Sequence, residues 1–199
     1  MPLHYLALGD SYTIGEAVPA ADRWPAQLVA RLRARGVAIE DPQIIATTGW
    51  TTDELSAAMD VATLTPPYGL VTLLIGVNNQ YRGRSAGEYR REFAGLLQRA
   101  TGLAGGHAAR VIVVSIPDWG VTRFAREQGR DPAQIAHALD VYNAIARDEA
   151  GRAGARWVDI TPVSRRHPEL VAADGLHPSA VQYVLWTEAI EPVAAAAVK

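Results

Sequence analysis

Five short apolar segments recur along the chain, and most of them are continuous rather than alternating in character. They are YLAL at 5–8, QIIA at 43–46, LVTLLI at 70–75, VIVVSI at 111–116 and RWVDI at 156–160. Continuous apolar segments of this length are typical of parallel strands that are covered on both faces. The pattern therefore predicts five parallel strands.

Three stretches between these segments have the periodicity of amphipathic helices, because their apolar residues recur every three to four positions. These residues are Trp24, Leu28 and Leu32, then Tyr89, Phe93, Leu96 and Leu97, and then Ile135, Leu139, Tyr142 and Ile145. Asp131 before Pro132 is typical of a helix start, and Ser85 with Glu88 three residues later spells a capping box. The last helix is expected to begin near Ser179.

Strand and helix patterns alternate along the chain, which favours the α/β class with right-handed crossovers. The sequence predicts a three-layer α/β/α sandwich, with a flavodoxin-like five-stranded parallel sheet and helices on both faces. Residues 1–199 are expected to form a single domain, whose one long connection is the loop at 117–131. Ligands of such sheets bind beyond the carboxyl ends of the strands, so the chemistry is expected in the loops that follow residues 8, 46, 75 and 116.

Charge and composition narrow the function classes. The net charge is −2 and the basic residues are scattered, which argues against nucleic acid or an anionic membrane surface as a partner. The absence of cysteine excludes disulfides and thiolate chemistry. No apolar run approaches the ~20 residues of a membrane span. The N-terminal segment does not have the features of a secretory signal, so a cytoplasmic location is expected, with a recloned mature secreted form as the alternative.

Ser11 directly follows the first predicted strand. Its position at the start of a helical segment suits a nucleophile, since free backbone N–H groups and the helix dipole stabilise negative charge there. The same position suits a helix cap. Position alone leaves both interpretations open.

The second and third strand-end loops carry candidate hydrogen-bond donors. Gly49 lets the backbone approach a ligand without a Cβ in the way. Asn78 and Asn79 follow Gly76 and bring amide groups to the same edge of the sheet, although asparagine is also common in turns.

Asp174 and His177 lie three residues apart in the segment AADGLHPSA. This spacing lets the carboxylate reach the imidazole Nδ1 across one turn. Pro178 keeps His177 out of helical geometry and places it in a loop at the entrance of the last helix. Each of the other four histidines lacks a nearby acid or a strand-end loop and is expected to be a surface or core residue; they are His4, His107, His137 and His167.

Together these segments resemble one known family. GDS at 9–11, Gly49, GVNN at 76–79 and DGLH at 174–177 match, in order, the blocks of the SGNH or GDSL-type hydrolases, from residue 4 to about 190. Two positions depart from the family's pattern. Tyr12 stands where the family name has leucine, and Asn79 stands where many members carry aspartate, which removes a carboxylate beside Asn78.

The resemblance implies hydrolysis of a small-molecule carboxylic ester through an acyl-enzyme. It makes Ser11 the nucleophile of a triad completed by His177 and Asp174, and it forms the oxyanion hole from the Ser11 amide, Gly49 and Asn78. No cofactor is expected. Asp10, Asp174 and His177 are too few ligands for a two-metal phosphoesterase, so no metal site is expected either.

Several residues beside these loops are candidates for substrate binding, although core packing explains any single aromatic residue equally well. They are Tyr12, Trp50, Asn79, Tyr81 and Trp119. The 117–131 loop is expected to form a wall or a mobile flap, with Trp119 and Phe124 as contacts. No lid-sized insertion occurs elsewhere, which favours an open site for short acyl chains.

Three alternatives remain at this stage. Ser85 lies in GRSAG at 83–87, which fits the G-x-S-x-G nucleophile elbow, but the residues before it are polar rather than a strand. The same site could serve a carbohydrate O-deacetylase, a lysophospholipase or thioesterase, or an acyltransferase. A non-catalytic ligand-binding module would keep the fold without turnover.

Overall fold

The computed structural model describes residues 1–199 and contains one sheet of five parallel strands. The strands are β1 (Tyr5–Gly9), β2 (Gln43–Ala46), β3 (Leu70–Leu74), β4 (Val111–Val114) and β5 (Arg156–Val158), in the spatial order β2-β1-β3-β4-β5. In the central pair, Leu8 of β1 lies beside Leu73 of β3, and both are completely buried. The observed strands confirm the five predicted segments. β3, β4 and β5 end one or two residues earlier than the apolar runs do.

Nine α-helices connect and cover the strands. They are α1 (Ser11–Ile14), α2 (Trp24–Ala34), α3 (Thr52–Val61), α4 (Val77–Tyr81), α5 (Ala86–Leu103), α6 (Arg123–Glu127), α7 (Pro132–Ala153), α8 (Thr161–Arg166) and α9 (Ala180–Ala197). Short 3₁₀ helices occupy residues 20–22, 108–110 and 119–121. None of the helices combines the length and the apolar character needed to cross a lipid bilayer.

Helices cover both faces of the sheet, as the three-layer prediction requires. α2 packs against α9, while α5 packs against α3 and α7. Every apolar residue that defined the three predicted helices is buried, so the periodicity identified the core-facing side of α2, α5 and α7 correctly. The predicted start of the last helix is also confirmed, because Ser179 caps α9 by accepting a hydrogen bond from the Gln182 amide.

The segment at 117–131 differs from the loop that was predicted. It contains the 3₁₀ helix at 119–121 and α6, each capped by a side chain at its start. Asp118 accepts a hydrogen bond from the Gly120 amide, and Thr122 accepts one from the Ala125 amide. These helices are too short to show a hydrophobic period, which explains why the pattern of apolar residues did not reveal them.

Two glycines allow the close packing at the carboxyl end of the sheet. A Cβ on Gly9 would lie 2.5 Å from the Leu74 carbonyl oxygen and 2.2 Å from Thr13 Oγ1. Gly76 has φ +132°, and a Cβ there would lie 2.6 Å from the Tyr89 ring. All three distances are shorter than real Cβ atoms allow. Glycine therefore lets the turns after β1 and β3 begin directly at the sheet edge.

Candidate active site

Loops from four parts of the chain meet beyond the carboxyl edge of the sheet and enclose a cleft of about 240 Å³. The loops follow β1, β2, β3 and β4, and the turn that precedes α9 joins them. The cleft is lined by Ser11, Tyr12, Thr48, Gly49, Val77, Asn78, Tyr81, Trp119, Phe124, Leu176 and His177. Ser11 and His177 thus face one cleft although 166 positions separate them in the sequence.

Ser11 is the first residue of α1, a helix of a single turn. The helix starts because the Asp10 carboxylate accepts a hydrogen bond from the Tyr12 amide, and it stops at Gly15, whose φ is +71°. As the first helical residue, Ser11 has a backbone N–H without an intrahelical acceptor. Its side chain makes no hydrogen bond with a protein group, so the hydroxyl is free to meet a molecule in the cleft.

His177 and Asp174 are in direct contact. The imidazole Nδ1 lies 2.6 Å from Asp174 Oδ2, while Asp174 Oδ1 accepts hydrogen bonds from the amides of Leu176 and His177 at 2.9 and 3.0 Å. Partial burial disfavours the charged carboxylate, but these hydrogen bonds outweigh it and lower the pKa of Asp174. Because Nδ1 is held in this way, Nε2 is the ring nitrogen left for a group in the cleft.

Hydrogen bonds close the turn that carries these two residues and join it to the segment at 117–131. The Ala172 amide donates to the His177 carbonyl at 2.7 Å, which fixes the chain on both sides of Asp174. The Phe124 amide donates to the Gly175 carbonyl at 3.0 Å, and the Arg123 guanidinium donates to the Ala173 carbonyl. The segment at 117–131 therefore forms a wall that is bonded to the histidine turn.

Gly49 and Asn78 supply donors on the other side of the cleft. Gly49 adopts φ +89°, and its amide has no acceptor within the protein. One hydrogen of Asn78 Nδ2 is donated to the Trp50 carbonyl at 2.9 Å, which leaves the second for a ligand. Arg82 fixes the same loop, because it donates to the Gly49 carbonyl at 2.7 Å while it pairs with Glu54.

Asn79 does not line the cleft, although it was predicted to bind substrate. It is completely buried beneath the loop, where its Oδ1 accepts from the Thr52 amide at 3.1 Å and its Nδ2 donates to Thr52 Oγ1 at 2.6 Å. Glu92 of α5 accepts from both the Thr52 hydroxyl and Asn79 Nδ2. A carboxylate is thus present beside Asn79, but it comes from another helix, so Asn79 joins α4 to α3 rather than contacting a ligand.

Only some of the aromatic residues that were predicted to bind substrate line the cleft. Tyr12, Tyr81 and Trp119 line the cleft, whereas the side chain of Trp50 does not, because it packs against the core and only its carbonyl reaches Asn78. The Tyr12 ring meets the His177 ring edge-on, with 5.8 Å between the ring centroids.

Three lining residues were missed by the sequence analysis: Thr48, Val77 and Leu176. Each is next in sequence to a predicted site residue or lies within the DGLH segment, and this adjacency was the only available signal.

Ser85 is excluded as a strand-borne nucleophile elbow. It is exposed, it follows α4 rather than a strand, and its hydroxyl accepts a hydrogen bond from the Glu88 amide as the cap of α5. The helix-start interpretation of Ser85 is therefore confirmed.

Asp10 is a buried carboxyl group directly before Ser11 in the chain. Its Oδ1 accepts from the Tyr12 amide at 3.0 Å, and its Oδ2 has no partner. Burial raises the pKa of Asp10 to about 7, against the lowering effect of that hydrogen bond. The structure contains no group of three or more histidine, aspartate or glutamate side chains placed to hold a metal ion.

The parallel sandwich and this cleft define a class, the serine ester hydrolases of SGNH topology. Residues 7–185 match the GDSL-like lipase/acylhydrolase family, and the chain belongs to that family. A search of curated protein sequences gives no significant match.

Solved structures of similar fold include several that are described as esterases or acylhydrolases. A lipase/acylhydrolase from Enterococcus faecalis is 21% identical, with a TM-score of 0.75 over 100% of this chain and 98% of that one. TesA is 18% identical, with a TM-score of 0.75 over 96% and 97% of the two chains. Axe2, an acetylxylan esterase from Geobacillus stearothermophilus, is 18% identical, with a TM-score of 0.73 over 96% and 94%.

Proposed function

We propose that Ser11, His177 and Asp174 form a catalytic triad that hydrolyses short-acyl carboxylic esters through an acyl-enzyme. The observation that carries the proposal is the 2.6 Å contact between Asp174 and His177 Nδ1, made in a cleft that Ser11 also lines. A carboxylate on Nδ1 fixes the tautomer that presents a basic Nε2 to the serine hydroxyl, and it stabilises the imidazolium that forms.

In the acylation step, His177 Nε2 takes the proton of Ser11 as the hydroxyl oxygen attacks the ester carbonyl. The resulting oxyanion is stabilised by the Ser11 amide, the Gly49 amide and the free hydrogen of Asn78 Nδ2. These donors are fixed before the substrate arrives, so little reorganisation is needed as charge develops. His177 then gives its proton to the leaving alcohol, and the ester C–O bond breaks.

In the deacylation step, a water molecule takes the place of the alcohol. His177 accepts a proton from this water as it attacks the acyl carbonyl on Ser11, and the same donors hold the second oxyanion. Collapse of this intermediate returns the proton to Ser11 and releases the carboxylic acid.

The preference for short acyl groups follows from the size of the cleft. Its volume of about 240 Å³ lies below the ~300–1,000 Å³ that is common for drug-sized ligands. Apolar side chains, among them Val77, Trp119 and Leu176, line this space, which the acyl group must share with the alcohol part of the ester. An acetyl or butanoyl group fits this space better than a long lipid chain.

Covalent labelling tests the nucleophile. A fluorophosphonate probe is expected to modify Ser11, as mapped by mass spectrometry, and Ser11→Ala is expected to remove both the label and the hydrolysis of 4-nitrophenyl acetate. Ser85→Ala is the matched control, because Ser85 is an exposed cap outside the cleft. A label on Ser85, or full activity in Ser11→Ala, contradicts the proposal.

Acyl-chain preference is measured with 4-nitrophenyl esters from acetate to decanoate. We expect kcat/KM to be highest for the shortest chains and to fall beyond about six carbons, because the cleft cannot enclose them. Acetylated xylooligosaccharides form a separate arm of this test, since the similar fold of Axe2 belongs to an acetylxylan esterase.

A further inference from the structure

Arg130 lies at the end of the 117–131 wall and stacks on two aromatic residues of the cleft. Its guanidinium carbon is 5.4 Å from the ring centroid of Tyr81 and 5.4 Å from that of Trp119. The two rings meet edge-on, with their centroids 5.5 Å apart, so that one cation rests against both. Contacts of this kind within about 6 Å are attractive, because the ring faces carry negative charge.

The hydrogen-bonding groups of Arg130 are unused. Its side chain makes no ion pair and no hydrogen bond within the protein, whereas the neighbouring Arg82 is paired with Glu54 and Arg123 with Glu127. Stacking occupies the faces of a guanidinium and leaves the N–H donors at its edge free. A planar fork of donors held in this way matches the two oxygens of a carboxylate.

Charge around the cleft favours an anion at this end. None of the residues that line the cleft is acidic. At the β2 side of the cleft, the Glu16 carboxylate accepts a hydrogen bond from the Thr48 hydroxyl, and the Arg82 guanidinium is paired with Glu54, so the unpaired guanidinium of Arg130 distinguishes the opposite end. A substrate with one negative group would therefore bind in one orientation.

The position of the wall relative to His177 indicates which part of the ester faces Arg130. The Phe124 amide is bonded to the Gly175 carbonyl, two residues before His177, and the Phe124 ring contacts the Trp119 ring. The imidazole that protonates the leaving alcohol therefore lies beside this wall. An ester bound with its leaving oxygen beside His177 would therefore direct its alcohol part towards Trp119 and the Arg130 guanidinium stacked on it, and its acyl part towards Gly49.

We propose that Arg130, held by Tyr81 and Trp119, binds a carboxylate on the leaving group, so that the substrate class of this site is esters whose alcohol part carries a carboxylate. The inference rests on the proposed function, since it needs the alcohol to leave beside His177. Arg130 acts here as a specificity-determining residue.

A pair of acetate esters tests the proposal. In 4-acetoxybenzoate the leaving group carries a carboxylate, and in 4-acetoxybenzamide it carries a neutral group of the same shape. The ratio of their kcat/KM values is measured for the wild type, Arg130→Gln and Arg130→Lys. Comparing this ratio between variants cancels the intrinsic reactivity of the two esters. Arg126→Gln is the matched control, an exposed arginine of the same segment whose side chain donates one hydrogen bond, to the Val121 carbonyl.

We expect Arg130→Gln to lower the benzoate-to-benzamide ratio roughly fivefold, as expected for loss of a charge-assisted contact at a partly exposed site. Arg130→Lys should give an intermediate ratio, because it keeps the charge and loses the planar fork. The wild-type ratio should fall with added salt. Arg126→Gln should leave the ratio unchanged.

If Arg130→Gln leaves the ratio unchanged, the assignment of Arg130 is overturned. This includes the case in which kcat/KM falls equally for both esters. The proposed function fails separately, if the wild type hydrolyses neither acetate ester or if Ser11→Ala retains the activity.

Discussion

The side-chain amide of Asn78 donates a hydrogen bond to the Trp50 carbonyl over 2.9 Å, and this bond joins the loop after β3 to the loop after β2. These are the two loops that bring Asn78 and Gly49 to the cleft. The bond holds one hydrogen of the amide and thereby orients the other. The geometry of the proposed oxyanion hole thus depends on a contact across 28 sequence positions.

Removing this amide is expected to impair catalysis far more than folding. Asn78→Ala should lower kcat roughly 10²- to 10³-fold, as loss of one oxyanion donor does, with a small change in KM. The melting temperature should fall only slightly, since Asn78 is half-buried and loses one hydrogen bond. Steady-state kinetics on 4-nitrophenyl acetate, together with a thermal melt, checks both parts. Near-normal turnover would remove Asn78 from the oxyanion hole.

Asp174→Asn is expected to preserve the turn and lose most of the activity. The amide can still accept from the Leu176 and His177 backbone, but it no longer stabilises the imidazolium, and it allows the wrong tautomer of His177. By analogy with serine protease triads, kcat should fall by roughly 10⁴-fold.

The pH profile of the wild type gives a second readout of this pair. The lowered pKa of Asp174 keeps its carboxylate charged in mild acid, so the carboxylate should support His177 over the whole range above its own ordinary pKa. The pH profile of Asp174→Asn is therefore expected to differ from that of the wild type, and identical profiles would contradict a catalytic role for the carboxylate.

The contributions of Asn79 and Glu92 to the stability of the fold are expected to depend on each other. Asn79→Asp places a carboxylate in a completely buried position beside Glu92, whose Oε2 lies 3.5 Å from Asn79 Nδ2. Two like charges at this distance should destabilise the fold by about 2–4 kcal/mol, measured by chemical denaturation. Glu92→Gln alone should have a smaller effect.

The double variant Asn79→Asp/Glu92→Gln separates repulsion from simple loss of packing. It keeps one carboxylate in the cluster, so it should recover at least half of the stability lost in Asn79→Asp. Additive losses in the double variant would show that the two residues are independent.

Asp10 is expected to make the stability depend on pH near neutrality. Its pKa is raised by burial to about 7 in the folded protein, against about 3.9 for an unfolded chain. Between these values the folded state holds a proton that the unfolded state has lost, so the free energy of unfolding falls as the pH rises. The loss is complete above the folded pKa and is on the order of 4 kcal/mol for a shift of this size.

Comparing Asp10→Asn with the wild type at pH 5 and pH 8 isolates this effect, because all other titrating groups are shared. The variant should gain stability relative to the wild type as the pH rises. Asp41→Asn, a change at an exposed carboxylate, is the control and should show no such trend. A constant difference between Asp10→Asn and wild type at both pH values would show that Asp10 has no raised pKa.

Features that depend only on neighbouring residues could be predicted from the sequence, because each of these local patterns has one physical explanation. Continuous apolar runs identified all five strands, because strands covered on both faces have no polar side. The spacing of Tyr89, Phe93, Leu96 and Leu97 identified the buried side of α5, and Pro178 indicated the start of α9. The contact between Asp174 and His177 is also local, since three residues and one turn suffice to form it.

Asn79 and Trp50 do not line the cleft, and the sequence could not indicate this for the opposite reason. Both lie beside true cleft residues, and only the packing of α3, α4 and α5 decides that Asn79 points inward to Thr52 and Glu92. Whether a side chain points into the cleft depends on packing against residues that are distant in sequence. No pattern of adjacent residues reports it.

The sequence by itself determined the strand and helix pattern and the spacing of Asp174 and His177, because periodicity, turn chemistry and short spacings are properties of the local chain. Ser11 was indicated as the nucleophile only by the resemblance of its segment to one family. Only the tertiary structure decided that Ser11 and His177 share a cleft, that Glu92 supports Asn79, and that Arg130 rests unpaired on Tyr81 and Trp119. These relationships join residues from separate elements. They exist only once the sheet has brought its loops to a common edge.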